Sequence, residues 1–239
     1  KNAKEDLFTI LEATLSEHEA SLKNVEIKFI NLIYEEESLV EPIGDFIVKA
    51  SKSINHVISK LASDFLTVLV TYILEKTNVN AESQAVKNAK ELMTKLSFQI
   101  PRMFYVNLST FIALYESEAY LLRNALTDII AEIIKRVLTS REGEDEDIDS
   151  KDTRIKAKTK LLDKLVKRIT DKHAFARAHV FKTFIELTNA NVVPKEYLSI
   201  LFRSACERIK DVSANVRKKA IELLNVLVGM YYGIFVENK

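Results

Sequence analysis

The chain repeats one pattern of residues at an interval of 40. The segments Leu161–Val180 and Leu201–Ala220 each hold an apolar helical stretch, a short turn with an Asp, and a second stretch with an Arg six residues after the Asp. The equivalent residues are Asp171 and Asp211, Arg177 and Arg217, Ile169 and Ile209, and Phe181 and Ile221. A fixed period of this length identifies a chain built from repeated helix pairs.

A helix pair of this size is typical of the HEAT repeat. Neither helix of a pair buries its apolar stripe alone, and stacking onto the next pair completes the core. With only four Gly and three Pro in 239 residues, long helices are favoured over β-structure. We therefore predict an all-α fold, a HEAT-repeat α-solenoid of stacked antiparallel helix pairs, with the clearest pairs at 152–170/173–189 and 194–210/213–229.

The Asp and Arg of the repeat have predicted structural roles. Asp171 and Asp211 can accept hydrogen bonds from the backbone N–H groups that open the following helix. Arg177 and Arg217 can each pair with an Asp of the same or the adjacent repeat. We therefore assign these four residues to the repeat motif rather than to chemistry.

A third, weaker copy lies upstream, with Arg123 in the Arg177 position 54 residues earlier and Ser117 in place of the Asp. The excess over the 40-residue period is explained by an insertion at 141–150, which holds six acidic residues and predicts a solvated loop. The predicted regions are 1–100, with irregular helical repeats, and 101–239, with HEAT repeats and this acidic insertion.

Residues 1–100 lack the Asp–Arg motif, but their apolar residues fall at helical spacing. The acidic run Glu35–Glu37, with Pro42 and Gly44, predicts a break before a short helix at 46–50, and residues 54–76 have the longest uninterrupted helical pattern. Further helices are predicted at 3–16, 25–33 and 81–98, and two helices at 102–115 and 119–138 form the repeat that contains Arg123.

Three runs of the repeat carry a resemblance to a known family. Tyr120–Leu126, Asp171–Arg177 with Val180, and Asp211–Leu224 resemble, in residues and in order, the core of the condensin complex subunit 1 family. Its members are the large HEAT-repeat, non-SMC subunits of the first condensin complex. The similarity extends from about residue 88 to residue 227.

The chain departs from that family in two places. Lys172 and His173 follow Asp171 where family members often have Val and Asn, and residues 229–235 replace a common Asn-Pro-Phe. The resemblance implies a scaffold that binds a kleisin subunit, SMC ATPase heads and double-stranded DNA in mitotic chromosome condensation. It also implies a place in the nucleus and on the chromosome, with the cytoplasm as the alternative outside mitosis.

Two alternatives to this interpretation stay open. A HEAT-repeat transport or phosphatase scaffold would carry protein cargo without binding DNA. The other alternative is a HEAT subunit of a related SMC complex, either the second condensin or cohesin. The sequence does not separate these alternatives.

The sequence gives little support for an enzymatic activity. The four glycines are not grouped into a phosphate-binding loop, and His173 and His179 lie about 240° apart around a helix, so they do not converge on a metal. We expect no catalytic residue, metal, cofactor or small-molecule substrate. With no signal peptide and no apolar run of membrane length, we also expect a soluble chain without membrane contact.

The net charge is only +1, so any nucleic-acid contact must come from a local patch. One helix face carries four lysines, with Arg168 beside them and the Lys218–Lys219 pair as a further candidate; the four are Lys156, Lys160, Lys164 and Lys167. Lysine-rich outer faces are ordinary in repeat proteins, whereas contact with DNA phosphates would be independent of base sequence and sensitive to salt. Both interpretations stay open at this point.

Overall fold

The computed structural model describes residues 2–76, 83–139 and 151–237. Within these ranges the chain forms α-helices and three short 3₁₀ helices, with no strand. The α-helices are α1 (Asn2–Glu17), α2 (Leu22–Glu35), α3 (Val40–Ser51), α4 (His56–Glu75), α5 (Gln84–Gln99), α6 (Pro101–Val106), α7 (Leu108–Ile112), α8 (Tyr120–Arg136), α9 (Lys151–Arg168), α10 (Ala174–Asn189), α11 (Lys195–Arg208) and α12 (Ala214–Glu237). The 3₁₀ helices are Glu19–Ser21, Glu37–Leu39 and Ala113–Glu116. The prediction of an all-α fold of HEAT type is confirmed.

The helices group into two compact units, Lys1–Ile129 and Ile130–Lys239, and the boundary falls inside α8. The sequence analysis divides the chain earlier, at residue 100, between irregular helical repeats and HEAT repeats. That division follows the Asp–Arg motif, which marks individual repeats and not groups of contacting helices. The predicted acidic loop at 141–150 lies outside the described residues.

Helix α4 is the centre of the first unit. It packs against α1, α2, α3 and α7, while α5 packs against α2 and α3. Eight α4 residues are buried, namely Ile58, Leu61, Ala62, Phe65, Leu66, Leu69, Val70 and Ile73. The Asn55 side chain caps the helix by accepting from the N–H of Val57 at 3.0 Å and of Ile58 at 3.4 Å.

The expectation that the chain lacks an apolar run of membrane length is wrong. By length and composition alone, α4 could also cross a membrane. Its eight buried side chains pack against neighbouring helices of the unit, and such packing gives a core helix the same composition.

The second unit contains two helix pairs, α9 with α10 and α11 with α12. Helix α10 packs along α12, so that the two pairs share one core. The buried side chains of this core include Val180, Phe181, Phe184, Leu187, Val216, Ala220, Leu223 and Leu227. The stacking that the 40-residue period predicts is therefore present in this unit.

The predicted break is present at the acidic run, where α2 ends at Glu35, but it is wrong for Pro42 and Gly44, which both lie inside α3. Pro42 is the third residue of the helix, where its missing N–H has no intrahelical partner to lose. A Cβ at Gly44 would lie 3.2 Å from Leu92 Cδ1 of α5. The glycine therefore allows α3 and α5 to approach closely.

The single helix predicted at 102–115 is also wrong. The structure divides it into α6, α7 and a 3₁₀ helix, with Asn107 between the first two. The Asn107 side chain donates from Nδ2 to the Met103 carbonyl at 2.9 Å. The Asn107 backbone N–H donates to the same carbonyl at 3.2 Å, so the backbone and side chain of Asn107 share one acceptor at the break.

Candidate nucleic-acid interface

Three turns of the chain share one side-chain arrangement. Asp171 Oδ1 accepts from the N–H of His173, and Asp211 Oδ1 accepts from the N–H of Ser213, each at 2.9 Å. Ser117 Oγ accepts from the N–H of Ala119 at 3.2 Å. Each of these side chains therefore binds the N–H of the residue two positions later in the chain. This bond closes the turn that precedes a helix.

The motif arginines bind the same turns from inside the following helix. Arg177 Nη1 donates to the Asp171 carbonyl at 2.8 Å and to the Lys172 carbonyl at 3.3 Å. Arg217 Nη1 donates to the carbonyls of Asp211 at 2.8 Å and Val212 at 3.1 Å.

Arg123 repeats this geometry in the first unit. Its Nη1 donates to the carbonyls of Ser117 and Glu118, at 2.7 and 3.0 Å. In all three copies the arginine binds the carbonyls six and five residues before it. The turn carbonyls are thus satisfied by a guanidinium, which is a structural function.

Arg177 also joins its repeat to the next one. Its Nε donates to Asp211 Oδ2 at 2.9 Å, and its Nη2 donates to Asp211 Oδ1 at 2.8 Å. The Asp211 side chain is only 2 % exposed, and Arg208 Nη1 lies 3.6 Å from its Oδ2. The hydrogen bonds from Arg177 hold the pKa of Asp211 below its usual value, against the opposing effect of burial.

The α9 lysines have a different environment from these arginines. Lys156, Lys160 and Lys167 are exposed, and Lys164 is half-buried. In the part of the chain that the structure describes, no ion pair is formed by any of the four. We call these four residues the α9 lysine face.

Two of the other proposed DNA contacts are engaged elsewhere. Arg168 Nη1 lies 3.8 Å from Asp171 Oδ2, as Arg208 lies near Asp211, so Arg168 belongs to the turn. On α12, Lys219 Nζ pairs with Glu222 at 2.5 Å, whereas Lys218 is exposed. The structure thus separates Arg168 and Lys219 from the exposed cations.

A contact beside the α9 lysine face was not predicted from the sequence. The Tyr197 hydroxyl of α11 lies 2.6 Å from Asp163 Oδ1 and 3.0 Å from the Thr159 carbonyl, both on α9. Burial and the hydrogen bond with Asp163 raise the pKa of Tyr197 above its usual value. Asp163 and Tyr197 are 34 residues apart on two different helix pairs, so no local sequence pattern marks this contact.

The described residues hold no group of three or more His, Cys, Asp or Glu side chains that could bind a metal ion.

One acidic residue of the first unit, Glu26 on α2, has a strongly raised pKa. Its side chain is buried beside Asp64 of α4. Burial, followed by the Asp64 charge, raises the pKa of Glu26 to about 7.

The repeated turns and stacked helix pairs define a HEAT-type helical repeat chain. No protein-family model matches the sequence. An archaeal HEAT-like repeats protein from Thermococcus onnurineus NA1 is similar over 91 % of this chain and 97 % of its own, at 13 % identity and a TM-score of 0.34.

Among curated proteins the similar sequences are condensin subunits. The condensin-1 complex subunit CAP-D2 of Arabidopsis thaliana is 23 % identical over 228 residues, which is 94 % of this chain and 15 % of the relative. Condensin complex subunit 1 of Xenopus laevis is 24 % identical over 62 % of this chain and 10 % of its own length. The Schizosaccharomyces pombe subunit is 20 % identical over 93 % of this chain and 20 % of its own length. The relation is distant, and the chain spans a small fraction of these relatives.

Proposed function

We propose that this chain is a condensin-type HEAT scaffold segment whose α9 lysine face contacts the DNA backbone. The distant relation to condensin subunits and the stacked HEAT-type pairs support the scaffold role. The proposal places the chain in the nucleus and on the chromosome during mitotic condensation, with a kleisin subunit and SMC ATPases as partners. ATP hydrolysis belongs to the SMC partners in this scheme, and the segment itself is not an enzyme.

The observation that carries the DNA proposal is the set of unpaired lysines on one face of α9. Lys156 and Lys167 are separated by eleven residues, or roughly 16 Å along the helix axis. That length accommodates several phosphates of one DNA strand. Exposed Lys218 is the further candidate, whereas the ion pairs of Arg168 and Lys219 disfavour those two residues.

The proposed contact is with phosphates and not with bases. The α9 lysine face presents ammonium groups, which are point charges without the bidentate geometry that reads a base edge. Binding should therefore be independent of base sequence and steeply dependent on salt.

The test is a salt series of duplex binding by fluorescence anisotropy. A variant with Lys→Gln at all four positions of the α9 lysine face loses four cations. If each lysine displaces about one counterion, the slope of log affinity against log salt falls by roughly three to four units. Melting curves and helicity must match those of the unmodified chain.

A second quadruple variant controls for the change of net charge. It replaces four exposed lysines that lie elsewhere on the chain, namely Lys28, Lys52, Lys87 and Lys195. This control should keep the original slope. If both quadruple variants lose slope equally, or if neither loses slope, the DNA proposal is contradicted and the α9 lysine face is an ordinary solvated surface.

A further inference from the structure

The first unit contains a cavity of about 360 Å³ at the ends of α2 and α4 and the starts of α5 and α8. Its floor is apolar and consists of Ile73, Val86, Ala119 and Leu122, each at most 6 % exposed. Tyr34 forms one side. The cavity is thus large enough and apolar enough to receive the stem of a long side chain.

One wall of the cavity is held in place by the repeat motif. Ser117 and Glu118 line it, and Arg123 binds the carbonyls of both residues. Arg123 is 3 % exposed, so this wall is supported from the core of the unit. A fixed wall lowers the conformational cost of binding a ligand.

The polar groups at the cavity favour a cation. The lining residues include two exposed acidic residues, Glu116 and Glu118, and one basic residue, Lys76. The three residues that follow Tyr34 in the chain are Glu35, Glu36 and Glu37, all exposed. Carboxylates in this excess attract a positively charged group and repel an anion.

Tyr34 of the lining and its neighbour Tyr72 already interact with one cation, the Lys76 side chain. Tyr34 and Tyr72 pack edge to face, with ring centroids 5.2 Å apart. Lys76 Nζ lies 4.5 Å from the centroid of Tyr72 and 5.8 Å from that of Tyr34. Both distances are within the range of a cation–π interaction.

We propose that this cavity binds an arginine side chain from a basic, extended segment of a partner protein. The arginine methylenes would pack on the apolar floor, while the guanidinium stacks on Tyr34 and pairs with Glu116. Arginine fits better than lysine because its planar head stacks on aromatic faces and is more weakly hydrated. This site lies in the first unit and does not depend on the proposed DNA contact.

The test uses the full chain with labelled Ile, Leu and Val methyl groups. N-acetyl-arginine amide is titrated while the methyl resonances of Ile73, Val86 and Leu122 are followed by NMR. Saturable shifts of these three residues are expected. The N-acetyl-citrulline amide, a neutral analogue of the same shape, should bind about tenfold more weakly.

Matched variants separate a specific site from a general effect of charge. Glu116→Gln removes a lining carboxylate and should weaken arginine binding about threefold, whereas Glu91→Gln removes an exposed carboxylate of α5 and should change nothing. Lys76→Gln removes the competing ammonium and should strengthen binding. The proposal is overturned if arginine gives no saturable shifts, if citrulline binds equally well, or if Glu116→Gln and Glu91→Gln behave alike.

Discussion

Replacing Arg177 by Met removes the side chain that joins two repeats of the second unit. The change deletes both hydrogen bonds to the Asp211 carboxylate and both bonds to the turn carbonyls of its own repeat. Arg217→Met is the matched control, because Arg217 makes the equivalent carbonyl bonds at its own turn. The difference between the two variants isolates the ion pair between repeats.

The magnitude follows from burial. Arg177 and Asp211 are 11 % and 2 % exposed, and breaking one side of a buried pair typically costs about 3–5 kcal/mol. Arg208 remains 3.6 Å from Asp211 as a second cation, which favours the lower end, about 3 kcal/mol. Arg217→Met, which loses carbonyl bonds that water partly replaces, should cost about 1 kcal/mol.

The assay is urea unfolding with a reporter in the second unit. The chain has no Trp, so Phe202→Trp on α11, a position that is 40 % exposed, gives one fluorescence signal in every variant. The free energies of unfolding are compared at equal slope in urea. Equal losses for Arg177→Met and Arg217→Met would refute the reasoning, because the ion pair would then contribute nothing.

The same variant has a pH signature. Arg177 lowers the pKa of Asp211 in the folded state, so the resulting stability is present above the unfolded pKa of about 3.8 and is lost as the pH falls through the folded value. Arg177→Met should therefore lose less stability on acidification than the unmodified chain.

Three further predictions concern single side chains. Burial raises the pKa of Glu26 to about 7, so the ionisation of Glu26 lowers the stability of the fold as the pH rises from 4.5 to 7. Glu26→Gln should make the melting temperature less dependent on pH and should stabilise the fold by roughly 2–3 kcal/mol at pH 8. An unchanged dependence of melting temperature on pH would contradict this. Gly44→Val should destabilise the first unit by about 1–3 kcal/mol in urea unfolding, because its Cβ alone would lie 3.2 Å from Leu92; an unchanged midpoint would show that α5 yields easily. Tyr197→Phe should cost about 1–2 kcal/mol through the lost bond to α9, and a neutral result in the same assay would mean that water replaces it.

The repeated part of the fold was predictable because its signals are local and periodic. Asp171, Asp211 and the arginines six residues later mark the turns, and the structure places both helix pairs within a few residues of the predicted starts. The irregular part was harder to predict. Pro42 and Gly44 look like helix breakers in sequence, but a first-turn position and contact with Leu92 place both inside α3.

Side-chain partners were less predictable than helices. The helical spacing of Arg168 suggests that it lies beside the α9 lysine face and contributes to the same surface. In the structure, the turn places Asp171 within 3.8 Å of the Arg168 guanidinium. Tyr197 and Asp163 meet across two repeats, and the cavity beside Tyr34 is formed by four segments distant in sequence. Such juxtapositions depend on how helices pack, which periodicity alone does not specify.

The most direct test of the scaffold proposal is affinity capture from nuclease-treated extract of dividing cells, with quantitative mass spectrometry. Nuclease treatment removes proteins that are captured only because DNA connects them to the chain. The account predicts that the chain enriches SMC ATPases together with a kleisin of the first condensin complex, and that the quadruple variant of the α9 lysine face enriches them equally. Enrichment of Ran-type GTPases or phosphatase subunits without SMC proteins would contradict it.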